Sequence, residues 1–433
     1  MNLRILLVSD NYPPFIGGAH RQTQLLAHKL QQRGHTVNVA TDWHRGLPEQ
    51  EDDAGVTVYR LRQLRNWLPG LVRDRRQQHH PPFPDPVTIW QLRGVINRFK
   101  PEVIHAYGWF AYSAAAALLG KRIPLLLSAR DYGYSCAKRT LLYHDRVCSG
   151  PAPLKCLNCA AALYGRPKGW LTVLGVGLSG PLLRRKVTGL HSISTYVQQM
   201  TRRDFLDDRA VSGSHRMPHP VIPSFREDDA DKAKSADIRS YLEQLPSTPF
   251  MLFVGALRLV KGLKPLLAAY ERLASPPPLV LIGTVEADTP HVLPAGVIVL
   301  QNFPHPAVMA AWDRSLFGVL PSLWPEPLGS VVYEGMSRGK AVIGTTPGGH
   351  TDMIVDGETG FLVPPGDVAA LVAAMQRLIA QPELRERMGR AGRERSALFT
   401  ASVVLPQFER VYSQLVADSV SQRNENQSLP LSP

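Results

Sequence analysis

The stretch LRILLVSDNYPPFIGGAHRQTQLLAHKLQQRGHTVNVAT, residues 3–41, decides the fold. Its opening LRILLVS is the near-continuous apolar run that a parallel strand covered on both faces requires. The loop DNYPPFIGG follows. AHRQTQLLAHKLQQRG then carries Leu26 and Leu30 four residues apart and stops at Gly34, a fitting helix end. HTVNVAT is the next strand. This is a βαβ unit, and it predicts an α/β fold with a doubly wound sheet.

The pattern recurs outward from this stretch. VTIWQLRGVINRFK predicts a helix and PEVIHAYG a strand. IPLLLSARD is another short buried strand, and GLHSISTYVQQMTRRDF passes from strand to helix. After Pro218 the character changes. HPVIPSF leads into REDDADKAKSAD, a polar segment without apolar periodicity that reads as a linker. A second α/β series then supplies the strands FMLFVGA, PLVLIGT, GVIVLQN, LFGVLPS and AVIGTT. The expected organisation is a first domain over residues 1–222, with a cysteine-containing insertion at about 132–186, and a linker over 223–245. A second domain spans 246–395, a C-terminal helix over 396–418 packs back on the first domain, and a disordered tail covers 419–433. Two such sheets facing each other leave a cleft at the carboxyl ends of their strands, where ligands bind.

Composition narrows the function classes. The 433 residues are 44% hydrophobic and 20% charged, as in a globular protein of two or three domains. The net charge of +13 favours anionic partners such as nucleotides, phosphosugars or acidic lipid surfaces. No homeodomain, zinc-finger or RNA-binding signature accompanies it, so no nucleic acid is expected. No segment reaches the ~20 apolar residues of a spanning helix. MNLRILLVSDNYPP reads as a buried first strand rather than a signal peptide, and the expected location is the cytoplasm.

Four constellations carry chemistry. PPFIGG, Pro13 to Gly18, joins the first strand to a helix, and Gly17 and Gly18 let backbone approach a ligand. FVGALRLVKG, Phe253 to Gly262, opens from a strand into a loop that sets Arg258 and Lys261 near the next helix start, a place for a diphosphate. EPLGSVVYEG, Glu326 to Gly335, puts Glu326 in a loop and Glu334 about one turn into a helix. The amides of Gly329, Ser330 and Val331 lie at that helix start. TTPGGHTDMIVDGETGFLVPPGD brackets a short helical piece with Gly348–Gly349 and Gly357 with Gly360.

Taken together and in this order, PPFIGG, FVGA…KG and PSLWPEPLGSVVYEGMSRGKAVIGTTPGGHTDMIVDGETGFLVPPGD resemble the retaining family 4 glycosyltransferases of the GT-B fold. The resemblance implies a nucleotide-sugar donor bound by the second domain and an acceptor (a glycan, a lipid-linked sugar or a small molecule) bound by the first. It implies that Glu334 grips the ribose, Glu326 contacts donor-sugar hydroxyls, and Lys261 neutralises the diphosphate. Gly329, Ser330 and Val331 would add their amides, and Gly17 and Gly18 would close from the opposite domain. Retention is usually explained by a front-face route, and no metal is required for catalysis. Glu326, Lys261 and His105 are the expected catalytic residues, with Tyr107, Asp131 and Tyr132 at the acceptor. Three positions depart from the pattern. Ala256 stands where an arginine is usual, with Arg258 two residues on as its substitute; Tyr107 stands where a histidine is frequent; Gly335 replaces a common alanine. His105 ends the strand EVIHAYG, either facing the cleft or as a core histidine. A sugar phosphorylase, an epimerase, or a catalytically silent nucleotide-sugar-binding protein of the same fold are the alternatives.

All four cysteines, Cys136, Cys148, Cys156 and Cys159, are spaced C-x11-C-x7-C-x2-C. The closing pair has metal-knuckle spacing, so a structural zinc, reduced thiols and a redox pair are the readings. Two stretches, RLRQLRNWLPGLVRDRR at 60–76 and GWLTVLGVGLSGPLLRRK at 169–186, combine arginines with large apolar residues. Each is either an ordinary helix with a basic face or a peripheral contact with the inner face of a membrane.

Overall fold

The computed structural model describes residues 2–10, 12–14, 18–67, 80–144, 146–206, 217–226 and 238–428. Gly17, residues 68–76 of the first basic stretch, 227–237 of the expected linker and the tail from 429 lie outside them.

The first sheet contains β1 (Arg4–Ser9), β2 (Thr36–Asp42), β3 (Gln50–Asp53), β4 (Val56–Leu61), β5 (Val103–Tyr107), β6 (Leu125–Ala129) and β9 (Gly189–Ser192). Its order is β3-β4-β2-β1-β5-β6-β9, parallel throughout except for β3 against β4. The second contains β10 (Phe250–Val254), β11 (Leu279–Ile282), β12 (Val297–Leu300), β13 (Ser315–Val319), β14 (Val342–Thr345) and β15 (Gly360–Val363) in the all-parallel order β12-β11-β10-β13-β14-β15. These are the two doubly wound sheets expected. The strands β3, β4 and β15 were not legible as strands. QEDD of β3 is polar at every position, VTVYRL of β4 mixes polar and apolar residues, and GFLV is bounded by turns on both sides. Between β6 and β9 the insertion forms a small hairpin, β7 (Leu142–Tyr143) with β8 (Arg146–Val147), then helices Pro153–Tyr164 and Arg166–Lys186.

In each sheet the direction of winding reverses beside the first strand, between β1 and β5 and between β10 and β13. Loops leaving those neighbouring strands converge, which is why open α/β sheets bind ligands there.

The helix Ala401–Ser428 puts Val404, Leu405, Phe408, Tyr412 and Leu415 into one apolar cluster with Val103, Tyr107 and Leu126 of the first sheet. Burying such side chains stabilises by roughly 1.5–3 kcal/mol each. The Arg33–Glu409 ion pair at 2.6 Å is partly exposed and adds at most about 1 kcal/mol. The apolar face therefore does the anchoring. Residues 419–428, expected to be disordered, continue this helix. Once a helix is nucleated by its packed part, each added residue costs little.

Candidate active site

The glycine turns of the second domain shape one loop. Gly262 has φ +79, and a Cβ there would lie 1.8 Å from Pro321 O, so the β10 loop can press against the β13 loop only at a glycine. A Cβ on Gly349 would meet Pro327 O at 2.2 Å, and its amide donates to Glu326 O at 2.6 Å. The pair Gly348–Gly349 thus holds the backbone of Glu326 in place.

Glu326, only 6% exposed, is the centre of the arrangement. Its Oε1 accepts from Lys261 Nζ at 2.6 Å, Ser322 Oγ at 2.6 Å and Trp324 Nε1 at 2.7 Å. Among the described residues Oε2 takes no hydrogen bond. Burial alone would raise the carboxyl pKa; the Lys261 ammonium, with His350 and Ser322, outweighs it, and the net shift is downward. Glu326 is therefore an ionised acceptor and no general acid. The Lys261 ammonium also lies 5.2 Å from the Trp324 ring centroid.

His350 completes the group. Thr345 N–H donates to its Nδ1 at 3.1 Å, so Nε2 carries the proton. Burial lowers its pKa to about 4. A neutral imidazole N–H is thereby fixed toward Gly329, whose Cβ, if it had one, would sit 2.7 Å from Nε2. Phe253, Val254, Lys261, Leu320, Ser322, Glu326, Gly329, Val331 and His350 line one pocket. Helix Ser330–Ser337 begins at its edge with Gly329 in the left-handed region and no side-chain cap, so its first amides have no intrahelical acceptor. Glu334, on the same helix, pairs with His305 Nε2 at 3.2 Å.

Other expected site residues sit elsewhere. Arg258 does not join Lys261: its guanidinium reaches Asp288 at 3.4 Å and is half exposed. His105 does not face the cleft. It is fully buried under the C-terminal helix, where Tyr412 Oη lies 2.7 Å and Tyr107 Oη 2.9 Å from Nδ1. Its Nε2 lies 2.6 Å from Ser128 Oγ, which lies 2.5 Å from His191 Nδ1, and His191 Nε2 meets Ile222 O at 2.7 Å. The carbonyl fixes the direction of the chain: His191 donates from Nε2, Ser128 donates to His191, and His105 donates to Ser128. Burial depresses both histidines, so both are neutral. On β5, Val103, His105 and Tyr107 alternate toward that helix while Ile104 and Ala106 point the other way.

Asp131 is occupied by Gly133 N at 2.7 Å and by Arg139 at 2.6 Å. Tyr132 crosses between the domains, donating from Oη to Pro325 O at 2.7 Å, one residue before Glu326. Gly18 begins the first helix. The four cysteines are free, part-buried thiols. Burial raises Cys136, and Cys148 adds to the shift. Among the described residues no three His, Cys, Asp or Glu side chains converge as metal ligands, so the structure does not assemble the four thiols into one site.

Four residues of the cleft were missed. Ser322 and Trp324 lie beside Glu326 in sequence, and His350 follows the glycine pair directly. That proximity was the available signal. Asp10, whose carboxylate accepts from Trp109 N at 3.1 Å and Phe110 N at 2.7 Å, gave none. Burial, partly offset by Arg139, lifts its pKa to about 6.

Comparison with known proteins fits this geometry. Residues 237–395 match the family described as Glycosyl transferases group 1, and residues 17–211 the Glycosyl transferase 4-like domain. An alpha-maltose-1-phosphate synthase of Mycobacterium tuberculosis is 31% identical over 274 residues, covering 55% of this chain and 70% of the relative. The chain belongs to the group 1 glycosyltransferases. The GT-B architecture of this glycosyltransferase is shared with a sucrose-phosphate synthase from Thermosynechococcus elongatus (TM-score 0.72, 21% identity, 96% of this chain and 100% of the other). It is shared too with the Anabaena protein HepE in complex with UDP-glucose (TM-score 0.63, 17% identity, 97% and 100%).

Proposed function

We propose that this glycosyltransferase moves a glycosyl group from a nucleoside-diphosphate sugar to an acceptor hydroxyl with retention of configuration, as in family 4. The observation that carries the reading is the cluster of Lys261, Glu326 and His350 where the β10 and β13 loops meet. A sugar diphosphate fits it group by group. Lys261 and the amides of Gly329, Ser330 and Val331 face the diphosphate, with the His350 N–H as a further donor. The free Oε2 of Glu326 accepts from sugar hydroxyls. Glu334 accepts from ribose hydroxyls, exchanging its His305 contact for them. The Gly17–Gly18 pair, of which Gly17 lies outside the described residues, is assigned to the phosphates from the first domain. HepE, crystallised with UDP-glucose, supports a nucleotide sugar as the donor class.

In the transfer, the bond between the anomeric carbon and the diphosphate oxygen breaks, and the acceptor oxygen bonds on the same face. The acceptor proton passes to a phosphate oxygen of the leaving group. Negative charge grows on the diphosphate, and fixed cations and N–H dipoles already aimed there stabilise it without reorganising. Trp324 and Ser322 hold Glu326 so that Lys261 is not drawn away with the departing phosphate. Asp131 and Tyr132 are assigned to the acceptor, with Tyr132 tying the two domains together beside Glu326. Tyr107, expected there too, is buried with His105 under the C-terminal helix and takes no part. The acceptor is a glycan, a lipid-linked sugar or a small molecule, and the reaction belongs in the cytoplasm, where such donors are available.

Thermal shift against a panel of UDP-, GDP- and ADP-sugars tests this. One nucleotide should raise Tm by several degrees, and slow donor hydrolysis should accompany it. No shift with any donor would overturn the reading. A shift without any turnover would restore the binding-protein alternative.

A further inference from the structure

The helix Arg166–Lys186 is amphipathic in the reverse sense. Its buried side is made of Gly169, Thr172, Gly175, Val176, Ser179, Gly180 and Leu183, mostly small residues with one large apolar side chain near the C-terminal end. Its outer side carries Trp170, Leu171, Leu174 and Leu178, exposed by 46%, 57%, 53% and 78%. At about 100° per residue these four fall within one arc of about 100°, and the buried residues occupy the opposite side. Close packing explains the small residues: a Cβ on Gly169 would meet Ala160 C at 2.6 Å, and one on Gly175 would meet Phe83 Cδ1 at 3.0 Å. Packing explains nothing about the leucines, which touch solvent where polar residues would serve. Single exposed leucines are ordinary, but four on one arc form a patch.

Charge says what covers it. From Pro153 to Lys186 the two insertion helices contain six Lys and Arg and no Asp or Glu. Exposed Arg166 and Lys168 flank the apolar stripe at one end, and exposed Arg185 lies at the other, on the same arc. A protein surface would be matched by a rim of both signs. A rim of one sign around Trp and Leu matches an anionic lipid bilayer, with the rings and leucines at the acyl boundary and the cations at the headgroups. We infer that this helix is a docking face for an anionic membrane surface, and that the enzyme is held there peripherally. Among the described residues no helix is long and apolar enough to cross a membrane, so the contact is to one leaflet. The insertion also tethers the cleft. Tyr164 Oη donates to Ala137 O at 3.2 Å, in the segment where Arg139 grips Asp131.

Sedimentation with lipid vesicles tests the inference without any sugar donor, so its failure and that of the proposed reaction are distinguishable. The full chain should pellet with vesicles of phosphatidylcholine and phosphatidylglycerol and weakly with phosphatidylcholine alone, with binding falling severalfold in high salt. Leu171→Asp with Leu178→Asp should reduce binding by about tenfold or more, and Arg166→Gln, Lys168→Gln and Arg185→Gln together by several-fold. Nucleotide-dependent thermal shift should be unchanged in both. As a measurement that leaves the fold untouched, brominated lipid should quench wild-type tryptophan fluorescence, and Trp170→Phe should remove most of that quenching. Absence of wild-type binding to anionic vesicles, full binding by the leucine variant, or unaltered quenching in Trp170→Phe would overturn the inference. So would a wild-type dimer that Leu178→Asp dissociates, which would make the face a contact between copies.

Discussion

The two domains use the same topology and end their central strands differently. Beyond β10 and β13, two loops bring Lys261 onto Glu326 at 2.6 Å beside a pocket, with Oε2 and the His350 N–H unspent. Beyond β1 and β5, Asp10 is consumed by the amides of Trp109 and Phe110, and His105 is locked within the sheet beneath the C-terminal helix. The difference teaches that closeness to a strand's carboxyl end is insufficient. A residue must lie past the strand, or alternate toward the open side, to reach a ligand. One half of the cleft presents ionised and polar groups with capacity left over; the other spends its groups on the fold.

The largest expected effect is at Glu326. Glu326→Ala strips the shared acceptor from Lys261, Ser322 and Trp324, and transfer should fall by about 10²–10³-fold in kcat/KM. Retention of near wild-type turnover would break the comparison at its stronger side. His105→Ala should do the opposite. It should cost about 2–4 kcal/mol of stability by opening a cavity and taking the shared acceptor from the hydroxyls of Tyr107 and Tyr412. Chemical denaturation would measure this, while nucleotide affinity of the folded protein stays unchanged. A large kcat loss at unaltered stability would return His105 to catalysis.

Acid should unfold the protein through the same buried groups. Burial lowers His80, His219 and His350 to about 4, His191 to about 3, and His105 well below its ordinary value. Each is neutral when folded and takes up a proton on unfolding below pH ~6.5. The unfolded chain then binds more protons, so this stability is complete above pH ~6.5 and is lost as pH falls toward ~4. Asp10 and Asp42, raised by burial, act in the other direction and offset part of the loss. Denaturation midpoints measured from pH 7 to 4 should fall steadily, and His105→Ala should flatten that slope. A midpoint constant over this range would contradict the neutral-histidine account.

A smaller effect is expected at Glu334. Glu334→Ala should weaken nucleotide binding by about tenfold, the loss of hydrogen bonds to a charged acceptor. Arg258→Ala, whose partner is Asp288, should change it by less than about threefold. Equal losses for the two would sharpen the role of Arg258 and return it to the diphosphate.

Much of this was legible in the sequence for a physical reason. Strands buried on both faces write themselves as unbroken apolar runs, and both domains announced their order that way. Glycines at the β10 and β14 loops marked where backbones touch, so Lys261 and Glu326 could be placed in facing loops. What was illegible is the side of a strand on which a residue falls once a distant helix covers it. Tyr412 lies 307 residues from His105, and nothing local in EVIHAYG reports that contact. The Arg258–Asp288 pair is likewise set by packing of two loops. Residues 419–428 look disordered by composition, yet they extend a helix anchored upstream.

The central claim is that Lys261 and its neighbours recognise a diphosphate. Calorimetric binding of the preferred nucleoside diphosphate and its monophosphate to wild type and to Lys261→Ala tests it most directly. Wild type should favour the diphosphate by at least about tenfold, and Lys261→Ala should lose most of that preference while binding the monophosphate nearly as before. A preference that survives in Lys261→Ala would contradict the account.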